Sequence, residues 1–144
     1  MKIAIGSDHA GYDLKQIVVD YLQERGLGFK DYGTYDRESC DYPDIALEVS
    51  KAVRDGDFDR GILMCGTGVG MSMQANKVEG VRASLNQDVF TAELSRLHND
   101  ANVLCIGGRV VGPDLAKAIV EVWLDTEFSG EERHQRRVDK IGKD

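Results

Sequence analysis

The chain has 144 residues, about one domain's worth, and its 42% hydrophobic and 30% charged content is that of a globular protein rather than a disordered one. A net charge of −7 argues against a generally basic nucleic-acid binder. Cys40, Cys65 and Cys105 are an odd number, the N-terminal apolar run is too short for a signal peptide, and no stretch approaches the ~18 apolar residues of a membrane span, so the expectation is a soluble, cytoplasmic single domain over residues 1–144 with reduced thiols, no nucleic-acid partner and no membrane.

Lys2 to Gly6 reads as a buried strand. Leu14, Ile17, Val18, Tyr21 and Leu22 then follow helical spacing, and Gly26 closes that helix. Gly28 to Tyr32 is a second strand and Thr34 to Tyr42 a polar loop. Pro43 suits the first turn of a helix with an apolar face of Ala46, Val49 and Val53, which ends at Asp55-Gly56-Asp57. Gly61 to Cys65 is a third buried strand, followed at once by Gly66-Thr67-Gly68-Val69-Gly70 and a short helix from Met71 to Asn76. Val81 to Leu85 is a fourth strand. Phe90, Leu94 and Leu97 mark the next helix, and Asn102 to Ile106 is a fifth strand ending at Gly107-Gly108. Leu115, Ala118, Ile119, Val122 and Trp123 share one face of a long helix, and the polar stretch Glu131 to Asp144 forms a terminal one. Five βα units in succession imply parallel strands joined by right-handed crossovers, hence an α/β fold: a three-layer α/β/α sandwich on a five-stranded parallel sheet, Rossmann-like.

Ligands of such sheets bind beyond the carboxyl ends of the strands. Gly6-Ser7-Asp8-His9-Ala10-Gly11, Cys65 to Gly70 and Gly107-Gly108-Arg109 all follow strands, whereas His98-Asn99-Asp100 follows a helix and its place relative to that edge is left open. The glycine loop departs from Gly-x-Gly-x-x-Gly, because the third glycine would fall at Met71, and no Walker lysine is present. It either presents backbone N–H groups to an anion or is a tight turn packed by glycines. Cys65, at the head of that loop, is either a reactive thiolate or an inert buried cysteine, and Cys105 inside an apolar run fits the second description. His9 and His98 can shuttle a proton or bind phosphate, or are solvated loop residues. No His-x-x-x-His or Cys-x-x-Cys spacing suggests a metal. Residues 131–144 carry a net charge of +1 against −8 for the rest. Arg133 and Arg137, four apart, share a helix face that suits a phosphate or merely caps a solvated helix end.

Taken together, these segments resemble the sugar-phosphate isomerase family of ribose-5-phosphate isomerase B, which includes the galactose-6-phosphate isomerase subunits. The match runs nearly end to end, through Gly6 to Gly11, Asp41-Tyr42-Pro43, Cys65 to Gly70, Ala75-Asn76-Lys77, His98 to Asn102, Gly108 to Gly112 and Arg133-His134-Gln135-Arg136-Arg137. The resemblance implies interconversion of D-ribose 5-phosphate and D-ribulose 5-phosphate with no metal and no cofactor. It implies Cys65 as the base, the amides of Gly66, Gly68, Val69 and Gly70 around the enediolate, and Thr67 assisting proton exchange. Asp8 and His98 would handle the sugar hydroxyls, with His98 opening the ring, while Tyr42 and Asn99 make further sugar contacts and His9, Arg109, Arg133 and Arg137 bind phosphate. It also implies a homodimer or a dimer of dimers with active sites shared between subunits, residues 129–144 reaching the partner. Glu131-Glu132 departs from the Gly-Gly that many members carry. The rival expectations are an isomerase of a six-carbon sugar phosphate, such as allose or galactose 6-phosphate, and a non-catalytic sugar-phosphate-binding protein.

Overall fold

In the computed structural model, which describes residues 1–144, five parallel strands form one sheet: β1 (Lys2–Ser7), β2 (Gly28–Asp31), β3 (Arg60–Cys65), β4 (Ala83–Leu85) and β5 (Val103–Gly107), in the order β2-β1-β3-β5-β4. Period-2 alternation on the central strands builds two cores. Ile3, Ile5, Ile62, Met64, Leu104 and Ile106 face α1 (Tyr12–Glu24), α4 (Val89–Leu97) and α5 (Pro113–Asp125). Ala4, Leu63, Cys65, Val103 and Cys105 face α2 (Tyr42–Arg54) and α3 (Val69–Ala75). Both faces are apolar, so the three inner strands read as continuous hydrophobic runs, as a doubly covered parallel sheet requires. The expected sandwich is therefore present, and the connections supply the strand order that periodicity leaves open.

The chain leaves β1 outward for β2, then crosses back past β1 to β3. That reversal opens a crevice at the carboxyl ends of β1 and β3, the place where such sheets hold ligands.

Several boundaries differ from the sequence expectation for local reasons. Gly26 does close α1: its φ of 69° and the bonds Gly26 N–H to Gln23 O and Leu27 N–H to Leu22 O, both 3.0 Å, are a Schellman ending. The third helix starts at Val69 rather than Met71, because Gly68 at φ 80° turns β3's continuation straight into it. The fourth strand is only Ala83–Leu85, because Val81 closes a turn on Val78 and is not free to pair with β5. The terminal helix α6 (Glu132–Lys140) is shorter than Glu131–Asp144.

His134 is the one buried residue of α6. Its ring packs 4.3 Å, centroid to centroid, from that of His98, and its Nδ1 lies 2.8 Å from Ser129 Oγ. The Ser129 hydroxyl accepts the Glu131 amide at 3.2 Å, which leaves its own proton for His134. Burial first, then the neighbouring His98 and Arg133, push the His134 imidazole below its ordinary value. Folding therefore favours the neutral ring. This contribution is complete above the unfolded value of about 6.5 and is lost as pH falls, because the unfolded chain takes up the proton first. The thermal midpoint should drop between about pH 7.5 and pH 5 by more in the native chain than in His134→Phe; equal drops in calorimetry would remove His134 as the cause.

Candidate active site

Loops after β1, β3 and β5 meet at the crevice around a cavity of about 410 Å³. It is lined by Asp8, His9, Ala10, Tyr42, Cys65, Gly66, Thr67, Val69, Gly70, Met73 and Arg109. The loops are tied to one another by main-chain bonds: Asp8 N–H to Met64 O at 3.1 Å, Gly108 N–H to Cys65 O at 2.8 Å, and Arg109 N–H to Gly66 O at 3.0 Å. Such close passage needs glycine. A Cβ on Gly107 would lie 2.8 Å from the Thr67 backbone, and one on Gly70 would lie 2.5 Å from the Tyr42 ring.

Cys65 is 5% exposed, and the cavity it lines is its route to solvent. Its Sγ accepts the Gly68 N–H at 3.1 Å, a contact weak for a thiol and strong for a thiolate. Val69 N–H turns inward to Thr67 Oγ1 at 3.2 Å, while the amides of Gly66, Thr67 and Gly70 donate to no group of the chain. Of the five loop amides, then, those at Gly66, Thr67 and Gly70 are free for an oxyanion, and those at Gly68 and Val69 are already committed. By contrast Cys105 is fully buried, and burial first, then the neighbouring Cys65, raise its thiol well above the ordinary value. The inert description fits it.

His9 Nδ1 accepts the Cys40 amide at 3.2 Å, so the neutral ring carries its proton on Nε2 and offers a donor. That assigns the polar β2–α2 loop a task invisible in its side chains, since the backbone of Cys40 performs it. Asp8 is buried, and its Oδ1 accepts the Gly11 N–H at 3.0 Å, fixing the carboxylate at the cavity wall. Arg109 is exposed and forms no ion pair within the chain, leaving a free cation beside Gly66. Ala10 and Met73 also line the cavity without any sequence signal beyond their place near strand ends. Gln87, just past β4, donates to Thr67 O at 2.7 Å and accepts from Gly107 N–H at 3.1 Å, bracing the glycine loop against β5.

His98, Asn99, Arg133 and Arg137 are not among the cavity's lining residues. His98 caps the C-terminal end of α4, which runs back against the strands, and the turn after it bonds to Arg82 and Asn102 at the amino ends of β4 and β5. Ser129 N–H bonds to Leu97 O at 3.0 Å, and His134 rests on His98, so α6 sits at that edge too. There Arg133 Nε is 3.0 Å from Glu131 Oε2, Arg136 is 3.8 Å from Glu132, and Arg137 pairs with no carboxylate. The residues singled out from the sequence thus form two groups at opposite edges of one sheet. No helix of the chain is long and apolar enough to cross a membrane.

The sequence model of the Ribose/Galactose Isomerase family matches residues 3–141. The chain is 51% identical over 140 residues to ribose-5-phosphate isomerase B of Escherichia coli, covering 97% of this chain and 93% of that one. It is 48% identical over 144 residues to D-erythrulose-4-phosphate isomerase of Pectobacterium atrosepticum, covering 99% and 93%. Among solved structures, ribose-5-phosphate isomerase B of Clostridium thermocellum superposes with a TM-score of 0.96 at 55% identity, covering 99% of this chain and 95% of that one. With the family's sequence pattern and its fold matched along nearly the whole length, this chain belongs to the ribose/galactose isomerase family.

Proposed function

We propose that the protein is an aldose–ketose isomerase that interconverts D-ribose 5-phosphate and D-ribulose 5-phosphate through a cis-enediolate, with Cys65 as the base. The observation that carries this is local: a cysteine sulfur at the cavity wall, next to backbone amides with no partner. That is what a proton transfer beside a carbonyl demands, a base together with donors for the oxygen that gains charge. Cys65 as thiolate takes the C2 proton of the open-chain aldose. The electron pair moves into a C1–C2 double bond, and the negative charge settles on O1, where the Gly66, Thr67 and Gly70 amides receive it. Return of the proton to C1, with transfer between O2 and O1 assisted by Thr67 Oγ1, gives the ketose. Reactant and product are isomers, so no oxidant or reductant is consumed. Arg109 and the Nε2–H of His9 bind the phosphate, Asp8 accepts from sugar hydroxyls, and Tyr42 flanks the sugar.

The second group completes this site only across chains. In this reading a second copy lays its His98–Asn99 turn and α6 over the cavity, supplying His98 for ring opening, Asn99 for the sugar, and Arg133 and Arg137 for the phosphate. The assembly is a homodimer or a dimer of dimers, working in the cytoplasm. Substrate length is the point at which a rival has support, since a relative 48% identical is named for a four-carbon sugar phosphate. Six-carbon sugar phosphates are tested alongside it.

The direct test compares kcat/KM on ribose 5-phosphate, erythrulose 4-phosphate and the phosphates of allose and galactose; a higher value on any other than ribose 5-phosphate would replace the substrate named here. On ribose 5-phosphate, Cys65→Ala should lose activity by about 100-fold or more, and unimpaired turnover would eliminate Cys65 as the base. Arg137→Ala should chiefly raise KM, because phosphate binding is similar in ground and transition states; a kcat loss at constant KM would contradict that role. Mixing Cys65→Ala with His98→Asn, each nearly inactive alone, should restore about one quarter of native activity after subunit exchange, since half the dimers are hybrids with one intact site of two. Absence of recovery in exchanged dimers would show that each chain completes its own site.

A further inference from the structure

Asp100 is the one residue other than glycine with a positive φ, at 47°. It sits directly after His98 and Asn99, and every polar group it has is engaged. Its amide donates to Arg96 O at 3.2 Å and its carbonyl accepts from Arg82 Nε at 2.9 Å. One carboxylate oxygen accepts from Arg96 Nη1 at 2.8 Å, and the other lies 3.3 Å from Arg82 Nη2. The arginines are themselves fixed. Arg96 is buried and donates to Ala101 O at 2.6 Å and Thr126 O at 3.1 Å, and the Arg82 amide donates to Asn102 Oδ1 at 2.8 Å.

A left-handed turn alone would be served by glycine without steric cost. Asp adds a carboxylate that two guanidiniums grip from opposite elements, the start of β4 and the end of α4. The consequence falls on the two residues before it. His98 is held at one end by its own amide to Leu94 O at 2.8 Å and at its ring by His134; Asn99 then has Asp100 as a fixed neighbour. We infer that Asp100, gripped by Arg82 and Arg96, is the positioning residue that aims His98 and Asn99 at the sugar in the partner subunit's cavity. Asp100 touches no substrate in this arrangement; it acts through its two predecessors. The inference rests on the shared-site reading proposed above.

Sharing makes the role separable from a general need for Asp100 in folding. Two hybrids are compared after subunit exchange. In the first, Cys65→Ala/Asp100→Gly is mixed with His98→Asn, so that the one intact site receives His98 from the chain altered at Asp100. In the second, Cys65→Ala is mixed with His98→Asn/Asp100→Gly, so that the intact site takes its Cys65 from the altered chain and its His98 from an unaltered one. Glycine keeps the left-handed backbone and removes only the grip. The first hybrid should have kcat/KM about 10-fold or more below the unaltered Cys65→Ala plus His98→Asn hybrid, and the second should stay within about 2-fold of it. Equal activity in the two, whether both high or both low, overturns the inference. If Asp100→Gly does not fold, Asp100→Asn, which keeps the size and tolerates the same backbone, is taken through the same comparison with the same criterion. If the unaltered hybrid itself shows no recovery, the shared-site reading falls and this inference with it, an outcome distinct from equal activities in a recovering pair.

Discussion

A parallel sheet has direction. Each strand delivers the residues that follow it to one edge, and each returning helix delivers the residues that follow it to the other. Five or six residues at about 3.3 Å each separate the edges by roughly 17–20 Å, farther than a side chain reaches. Cys65, Asp8, His9 and Arg109 follow strands, and His98, Asn99, Arg133 and Arg137 follow helices. No rotamer change within one chain brings the two groups together, whereas a second copy turned end for end brings opposite edges face to face. The demand for a partner thus follows from connectivity before any interface is considered.

Direction also decides what the cysteines can do. Cys65 and Cys105 lie on the same face of neighbouring strands and belong to the same apolar cluster. Cys65 is the last residue of β3, pairing with Gly107, and the chain opens beside it. Cys105 is two residues short of the end of β5, paired with Leu63 and shut in. Two positions along a strand separate a thiol that lines a cavity from one whose ionisation burial suppresses. Cys40, in a loop, contributes through its amide alone, and any non-proline residue there could supply the same N–H to His9.

Much of this was legible in the sequence because it is carried by side-chain patterns. Apolar runs marked the inner strands, helical spacing marked α1, α2 and α5, and the three glycine-bearing loops were readable as the ligand edge. Other features escaped because main-chain or long-range contacts carry them. The start of α3 depends on the dihedral of Gly68, and the brevity of β4 depends on a turn that engages Val81. Gln87 braces the glycine loop from twenty residues away, with nothing local to mark it. Asp100 looked like one more polar residue after a helix; its importance comes from Arg82, eighteen positions earlier, and Arg96, one turn back. The two-edge division was legible in principle, since strand-following and helix-following loops can be sorted from the element order alone.

The acidic pair beside the C-terminal arginines has a consequence for charge. Glu131 engages Arg133, and Glu132 engages Arg136 more loosely, while Arg137 is left without an acid. Exposed pairs of this kind are worth less than about 1 kcal/mol and are screened by salt, so they hold Arg133 in place without consuming its charge. A phosphate dianion offers a guanidinium two parallel hydrogen bonds and double the charge of a carboxylate, and it displaces Glu131 readily. Arg137 has no such exchange to make. The two arginines on one helix face therefore differ in readiness: Arg137 meets the anion first, and Arg133 follows as its acid partner turns to water. The negative charge that excluded nucleic acid from the outset thus sits next to the phosphate ligands and tunes one of them, and the short, slightly positive terminal segment remains suited to a small dianion.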